Sequence, residues 1–113
     1  MFTLVFAVPA DAELKRLEGI PTEAGLVKQI KKALGNLQRD PRYPALQTHK
    51  FSGLTNPYNP KEPVFEAYAQ QNTPGASRII WCYGPHQKQK EEQRDRENAD
   101  TNNITIMAII AHP

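Results

Sequence analysis

The stretch "SRIIWCY" (Ser77–Tyr83) decides how this chain is read. Ile79, Ile80, Trp81 and Cys82 form an unbroken apolar run, which predicts a strand covered on both faces. Arg78 stands at its start, where a permanently charged guanidinium needs water, an anion or a carboxylate. Just upstream, "VFEAYAQ" (Val64–Gln70) predicts a second strand, with Phe65, Ala67 and Ala69 on one face and Val64, Glu66 and Tyr68 on the other. Between the two lies "QNTPGA", whose Pro-Gly pair suits the centre of a type II turn, so the strands are expected to form an antiparallel hairpin. Downstream, "ITIMAIIA" (Ile104–Ala111) predicts a final strand that ends in His112 and Pro113. If it lies antiparallel to Ser77–Tyr83, Arg78 and His112 meet at one edge of the sheet.

Working outward, "FTLVFAV" (Phe2–Val8) reads as a strand covered on both faces and ended by Pro9. A short helix follows, with Asp11 as its expected N-cap, Leu14 and Leu17 on one side and Gly19 as its stop. After Pro21, Thr22 is the expected cap of a longer helix. Its apolar positions Leu26, Ile30, Leu34 and Leu37 recur every three or four residues, and Asp40-Pro41 ends it. A short extended piece is expected around Thr48–Phe51, then a loop punctuated by Pro57, Pro60 and Pro63. These elements predict an α+β domain over residues 1–113, with helices on one face of a small sheet and the other face open as a shallow groove.

Composition narrows the function classes. The chain has 113 residues and a formal charge of +2, with a pI near 8.8. Residues 88–100 hold four basic and five acidic side chains, which leaves ten basic and seven acidic residues elsewhere. That segment, within an expected long charged hairpin loop at 86–103, reads as a mixed solvated run and not as a basic tail. The single Cys82 can form no internal disulfide and reads as a small buried hydrophobe. The N-terminal apolar run has no basic lead and is far shorter than the ~20 residues of a membrane span. The expectation is a soluble cytoplasmic protein.

Several side chains could carry chemistry. Arg78 can hold two phosphate oxygens through its planar fork. His49 and His112 can move protons near neutral pH. Alternation puts His49 and Phe51 on one face of the short extended piece and Lys50 on the other. Glu66, a carboxylate in the middle of a strand, needs a cationic partner or solvent, and Arg78 is its nearest candidate. Tyr68 shares its face and could stack on a nucleobase. The plainer alternatives are a structural Glu66–Arg78 salt bridge and a frayed chain end at His112. The sequence contains no Walker loop, GxGxxG, GxSxG, CxxC or HExxH. Its three histidines lack ligand spacing, so no metal and no cofactor are expected.

Four phrases carry a family resemblance: "LQRDPRYPALQTHKFSG", "VFEAYAQ", "SRIIWCYG" and "ITIMAIIAHP". Taken in this order, the chain resembles the RelE/ParE superfamily of toxins from bacterial type II toxin–antitoxin systems. The resemblance implies a β-α-α-β-β-β fold with a small, mostly antiparallel sheet and two N-terminal helices packed on one face. It implies a cognate antitoxin as partner, in a hetero-oligomer or with the toxin as a free monomer. RelE-like members cleave mRNA, many of them on the ribosome, whereas ParE-like members poison DNA gyrase. By position, Arg78 falls on the family's phosphate-stabilising strand arginine and His112 near its C-terminal basic position. Glu66 lies where the nuclease members place lysines, and Lys50 approximates those lysines.

The function expected from these residues is a metal-independent endoribonuclease, an mRNA interferase acting through the 2′-hydroxyl. Arg78, Lys50 and Tyr68 would hold RNA, His112 or His49 would transfer protons, and Glu66 would act as base or orient Arg78. Two other readings compete: a ParE-like topoisomerase inhibitor without nuclease activity, and a catalytically silent interaction protein.

Overall fold

The apolar run Ile79–Cys82 occupies the middle of a five-stranded sheet. The computed structural model describes residues 1–69, 77–85 and 102–111. The turn expected in "QNTPGA", nearly all of the charged segment expected over 86–103, and His112 lie outside them. The elements are β1 (Thr3–Phe6), α1 (Val8–Glu18), α2 (Ala24–Arg39), β2 (His49–Lys50), β3 (Phe65–Tyr68), β4 (Ser77–Tyr83) and β5 (Asn103–Ala111). In space the strands run β1-β5-β4-β3-β2. β1 lies parallel to β5 and the other pairings are antiparallel. The sheet is therefore mixed, mostly antiparallel as expected, with the two-residue β2 added at its edge.

Strand alternation sorts the side chains. Ile79 and Trp81 of β4, Ala67 of β3 and Ile104, Ile106 and Ile109 of β5 pack with Leu17 of α1 and Ile30, Leu34 and Leu37 of α2. Ile104, Ile106 and Ile109 share a face although a strict period of two would put Ile109 opposite. The register resolves this: Ile80 pairs with Ala108 and Trp81 with Ile106, so Met107 is an extra residue on β5. Such a bulge resets the alternation.

The far face of the sheet is only partly open. Val64, Ile80 and Cys82 form a second buried cluster there, covered by Phe51, Met107 and Ala108. The proline-rich loop is pinned to this face by Tyr58, whose hydroxyl lies 3.1 Å from Thr105 Oγ1. Within the loop, the buried Asn56 side chain holds the turn together by accepting the N–H groups of Tyr58 and Asn59. The groove expected across the whole face is thus confined to the end bearing His49, Glu66, Tyr68 and Arg78.

The N-terminal expectations need correction in detail. β1 is an edge strand in which Leu4 and Phe6 are half-buried while Thr3 and Val5 face solvent. It is covered on one face only, by the core against which Leu4 and Phe6 pack, and no strand pairs with its outer edge among the described residues. Pro9 sits inside the first turn of α1, whose N-cap position is Ala7 with no side-chain cap. Proline is tolerated there because the first helical N–H groups have no partner in any case. Asp11 is a first-turn residue in an i,i+4 pair with Lys15 and not the N-cap. α2 is entered through a 3₁₀ turn at Pro21–Glu23, with no side-chain cap from Thr22. No helix among the described residues is long and apolar enough to cross a membrane.

Candidate functional site

Register brings three strands' polar residues to one place. His49 of β2 stands opposite Glu66 of β3, and Tyr68 stands opposite Arg78 of β4. Glu66 and Arg78 are diagonal neighbours on the helix-free face, a spacing that long side chains bridge.

Glu66 is the hub. Its Oε1 lies 2.7 Å from His49 Nε2, and its Oε2 lies 3.4 Å from Arg78 Nη1. The Glu66 and Arg78 side chains are each 10% exposed, whereas that of His49 is 48% exposed. Burying the carboxylate alone would be costly, and the Arg78 guanidinium together with the His49 imidazole offsets that cost. Arg78 carries its own second support: its Cζ lies 3.7 Å from the centre of the Tyr68 ring, within cation–π range. The His49 ring meets the same tyrosine edge-on, with centroids 5.8 Å apart. Arg78 Nε is buried and finds no hydrogen-bond partner among the described residues.

The imidazole is held at both nitrogens. Nε2 faces Glu66, and Nδ1 lies 3.1 Å from the carbonyl oxygen of Gln47. Both partners are acceptors, so a ring carrying both N–H groups satisfies both, and a neutral ring satisfies one. Gln47 reaches this position through a left-handed backbone, φ 47° and ψ 44°, at the end of the 3₁₀ turn Pro44–Leu46. Non-glycine residues adopt that conformation at a cost, and here it aims a carbonyl at the imidazole.

The remaining expected site residues lie elsewhere. Lys50 pairs with Phe65, is exposed, and belongs to the opposite face of β2 from His49, as alternation required. Ala111 pairs with Ser77 and Ile110 with Arg78, so β5 does deliver its end to the start of β4. His112 itself lies outside the described residues. No group of three His, Cys, Asp or Glu side chains with metal-binding geometry occurs among the described residues. Gln47 was not foreseen. Only the backbone geometry of the turn reveals it, and no local sequence signal marks a carbonyl as a histidine partner.

No protein-family model matches the sequence, and no curated protein matches it significantly. A solved structure does. The chain superposes along its whole length on 99% of a chain from the intact E. coli RelBE toxin–antitoxin complex, with a TM-score of 0.58 and 15% sequence identity. The fold is RelE-like. At that identity the RelE-like fold is what the likeness establishes, and the roles of His49, Glu66, Tyr68 and Arg78 rest on their own geometry. Placed on the RelE-like fold, the cluster sits on the sheet face that the two helices leave open.

Proposed function

We propose that this protein is the toxin of a toxin–antitoxin pair and acts as a metal-independent endoribonuclease on mRNA. The observation that carries the reading is the 2.7 Å contact of His49 with Glu66, backed by Arg78, on the open face of a RelE-like fold. A carboxylate on one ring nitrogen orients an imidazole and selects the tautomer that donates Nε2–H to it, leaving the Nδ1 lone pair to take a proton from a substrate.

In the proposed reaction His49 Nδ1 leaves the Gln47 carbonyl and takes the proton of a ribose 2′-hydroxyl. The 2′-oxygen then attacks the adjacent phosphorus, the bond to the 5′-oxygen breaks and that oxygen takes a proton from water, giving a 2′,3′-cyclic phosphate and a 5′-hydroxyl while the proton on Nδ1 returns to solvent. Glu66 orients the ring and Arg78 holds Glu66. Nine-tenths buried under Tyr68, Arg78 is a positioning residue in this arrangement. Direct contact of Arg78 with phosphate, the role expected from sequence, requires Tyr68 to swing off the guanidinium. Lys50, exposed at the same sheet edge, supplies a mobile cation for the phosphate backbone.

The test is cleavage of a defined RNA by purified protein in the presence of a chelator, with and without ribosomes, for wild type and His49→Ala. Cyclic phosphate ends that form with wild type and vanish with His49→Ala support the reading, and the ribosome-free arm sets the class. Growth arrest without cleavage in any arm sinks it. A supercoiling assay on gyrase then tests the topoisomerase alternative.

A further inference from the structure

The sheet carries a second concavity, on the helix-bearing face beyond the end of α2. There the chain from Pro41 to Thr48 folds back beside β3 and β4 and forms an open cleft of about 410 Å³, within the range of small-molecule sites. Its inner wall is aromatic, formed by Phe65, Trp81 and Tyr83. Its rim carries Arg42, Tyr43 and Thr48.

The wall is a mutually packed set. Phe65 stacks on Trp81 with centroids 4.8 Å apart, and Tyr83 meets both rings edge-on. Trp81 is buried, whereas Phe65 and Tyr83 stay partly exposed and can take a flat ligand. Arg42 is the one charged residue lining the cavity. It is exposed, and no ion pair engages its guanidinium among the described residues. The cavity therefore combines an aromatic wall with the Arg42 cation and hydroxyls at Tyr43 and Thr48, the latter donating to the Pro41 carbonyl, and the Asp40 carboxylate lies outside its lining, where Oδ1 accepts the Arg42 backbone N–H. That chemistry suits a planar heterocycle bearing an anionic group better than an apolar peptide side chain. The cavity also adjoins the imidazole along the chain: Gln47 lines it, and the carbonyl of the same residue holds His49 Nδ1.

From this geometry we infer that the cavity is a nucleotide subsite, taking a base against Phe65 and Tyr83 and that nucleotide's phosphate against Arg42. The inference rests on the proposed RNA substrate for the identity of the strand, and its test needs no cleavage.

Trp81 is the single tryptophan of the chain, so its fluorescence reports on the cavity wall. AMP, adenosine and N-acetylphenylalanine amide are titrated into wild type and Arg42→Ala. The expected result is saturable quenching by AMP in the millimolar range or tighter, with adenosine about tenfold weaker in wild type for want of the charge-assisted phosphate contact. Arg42→Ala, a change at an exposed loop position, should bring AMP down to the adenosine value. Equal affinities of AMP and adenosine for wild type overturn the inference, as does an absence of saturation by AMP. Tighter binding of the phenylalanine amide also overturns it and reassigns the cavity to a peptide partner. AMP binding without RNA cleavage upholds the subsite and removes the nuclease reading. Cleavage without AMP binding does the reverse.

Discussion

Arg78 lies across the β3–β4 register from Tyr68, with its guanidinium carbon 3.7 Å from the centre of that ring and one amino group 3.4 Å from Glu66. The arginine that opens an apolar strand is thus paired twice, by a carboxylate and by an aromatic face.

Because both charges are nearly buried, removing one strands the other. Arg78→Ala is expected to destabilise the fold by about 3–5 kcal/mol. The double variant Glu66→Gln/Arg78→Met should lose less than Arg78→Ala alone. Equilibrium urea unfolding of both reads the difference, and a near-neutral Arg78→Ala would mean that the ion pair is open to water. Arg78→Ala is accordingly a poor probe of activity unless its folding is measured alongside.

His49 is half exposed and lies at the sheet edge, so its replacement should spare the fold while removing proton transfer. His49→Ala is expected to lower the cleavage rate by roughly 10²–10⁴-fold. Its unfolding midpoint should stay close to that of wild type. A variant that cuts RNA at the wild-type rate would remove His49 from the mechanism.

Cys82 is fully buried beside Val64 and Ile80, and burial pushes its thiol up to about 11. The native thiol is therefore expected to resist a disulfide reagent at pH 8 and to react only on unfolding. The sign of the pH effect follows. The unfolded thiol ionises near its ordinary 9.0 and the folded one near 11, so this contribution to stability is complete below 9 and lost as pH rises toward 11. Cys82→Ala should flatten the fall in stability over that window. Rapid labelling of the native protein at pH 8 would contradict the burial.

Tyr58 ties the proline-rich loop to β5 through Thr105. Tyr58→Phe removes that hydroxyl and is expected to cost about 1 kcal/mol. The change should appear first as faster amide exchange in residues 52–63, before any change in the helices. Unchanged exchange there would mean that Asn56 and the neighbouring apolar contacts hold the loop by themselves.

The core prediction separates the helix faces. Leu37 is fully buried and Val8 is 80% exposed. Leu37→Ala should therefore cost about 2–5 kcal/mol, whereas Val8→Ala should stay within about 0.5 kcal/mol. Thermal unfolding of the two variants side by side tests which face of the helices meets the sheet.

Periodicity alone was enough for the two helices, the central strand and the two faces of β3. Leu26, Ile30, Leu34 and Leu37 recur at helical spacing, and Phe65 and Ala67 alternate with Val64 and Glu66. Side-chain direction follows local backbone geometry, so these features needed no knowledge of neighbours. The salt bridge of Arg78 to Glu66 was also legible, since adjacent antiparallel strands bring diagonal neighbours of opposite charge within reach of each other.

Tertiary structure decided the rest. Pairing of β1 beside β5 left β1 an edge strand, although its composition reads as fully covered. The Met107 bulge put Ile109 on the helix side, against strict alternation. The route of the proline-rich loop closed part of the open face. The left-handed turn at Gln47 brought a carbonyl to His49, and β2–β3 pairing brought Glu66 to its other nitrogen. Each of these depends on which segments meet across long loops, and that is settled by burial summed over the whole core, which no local window of sequence contains.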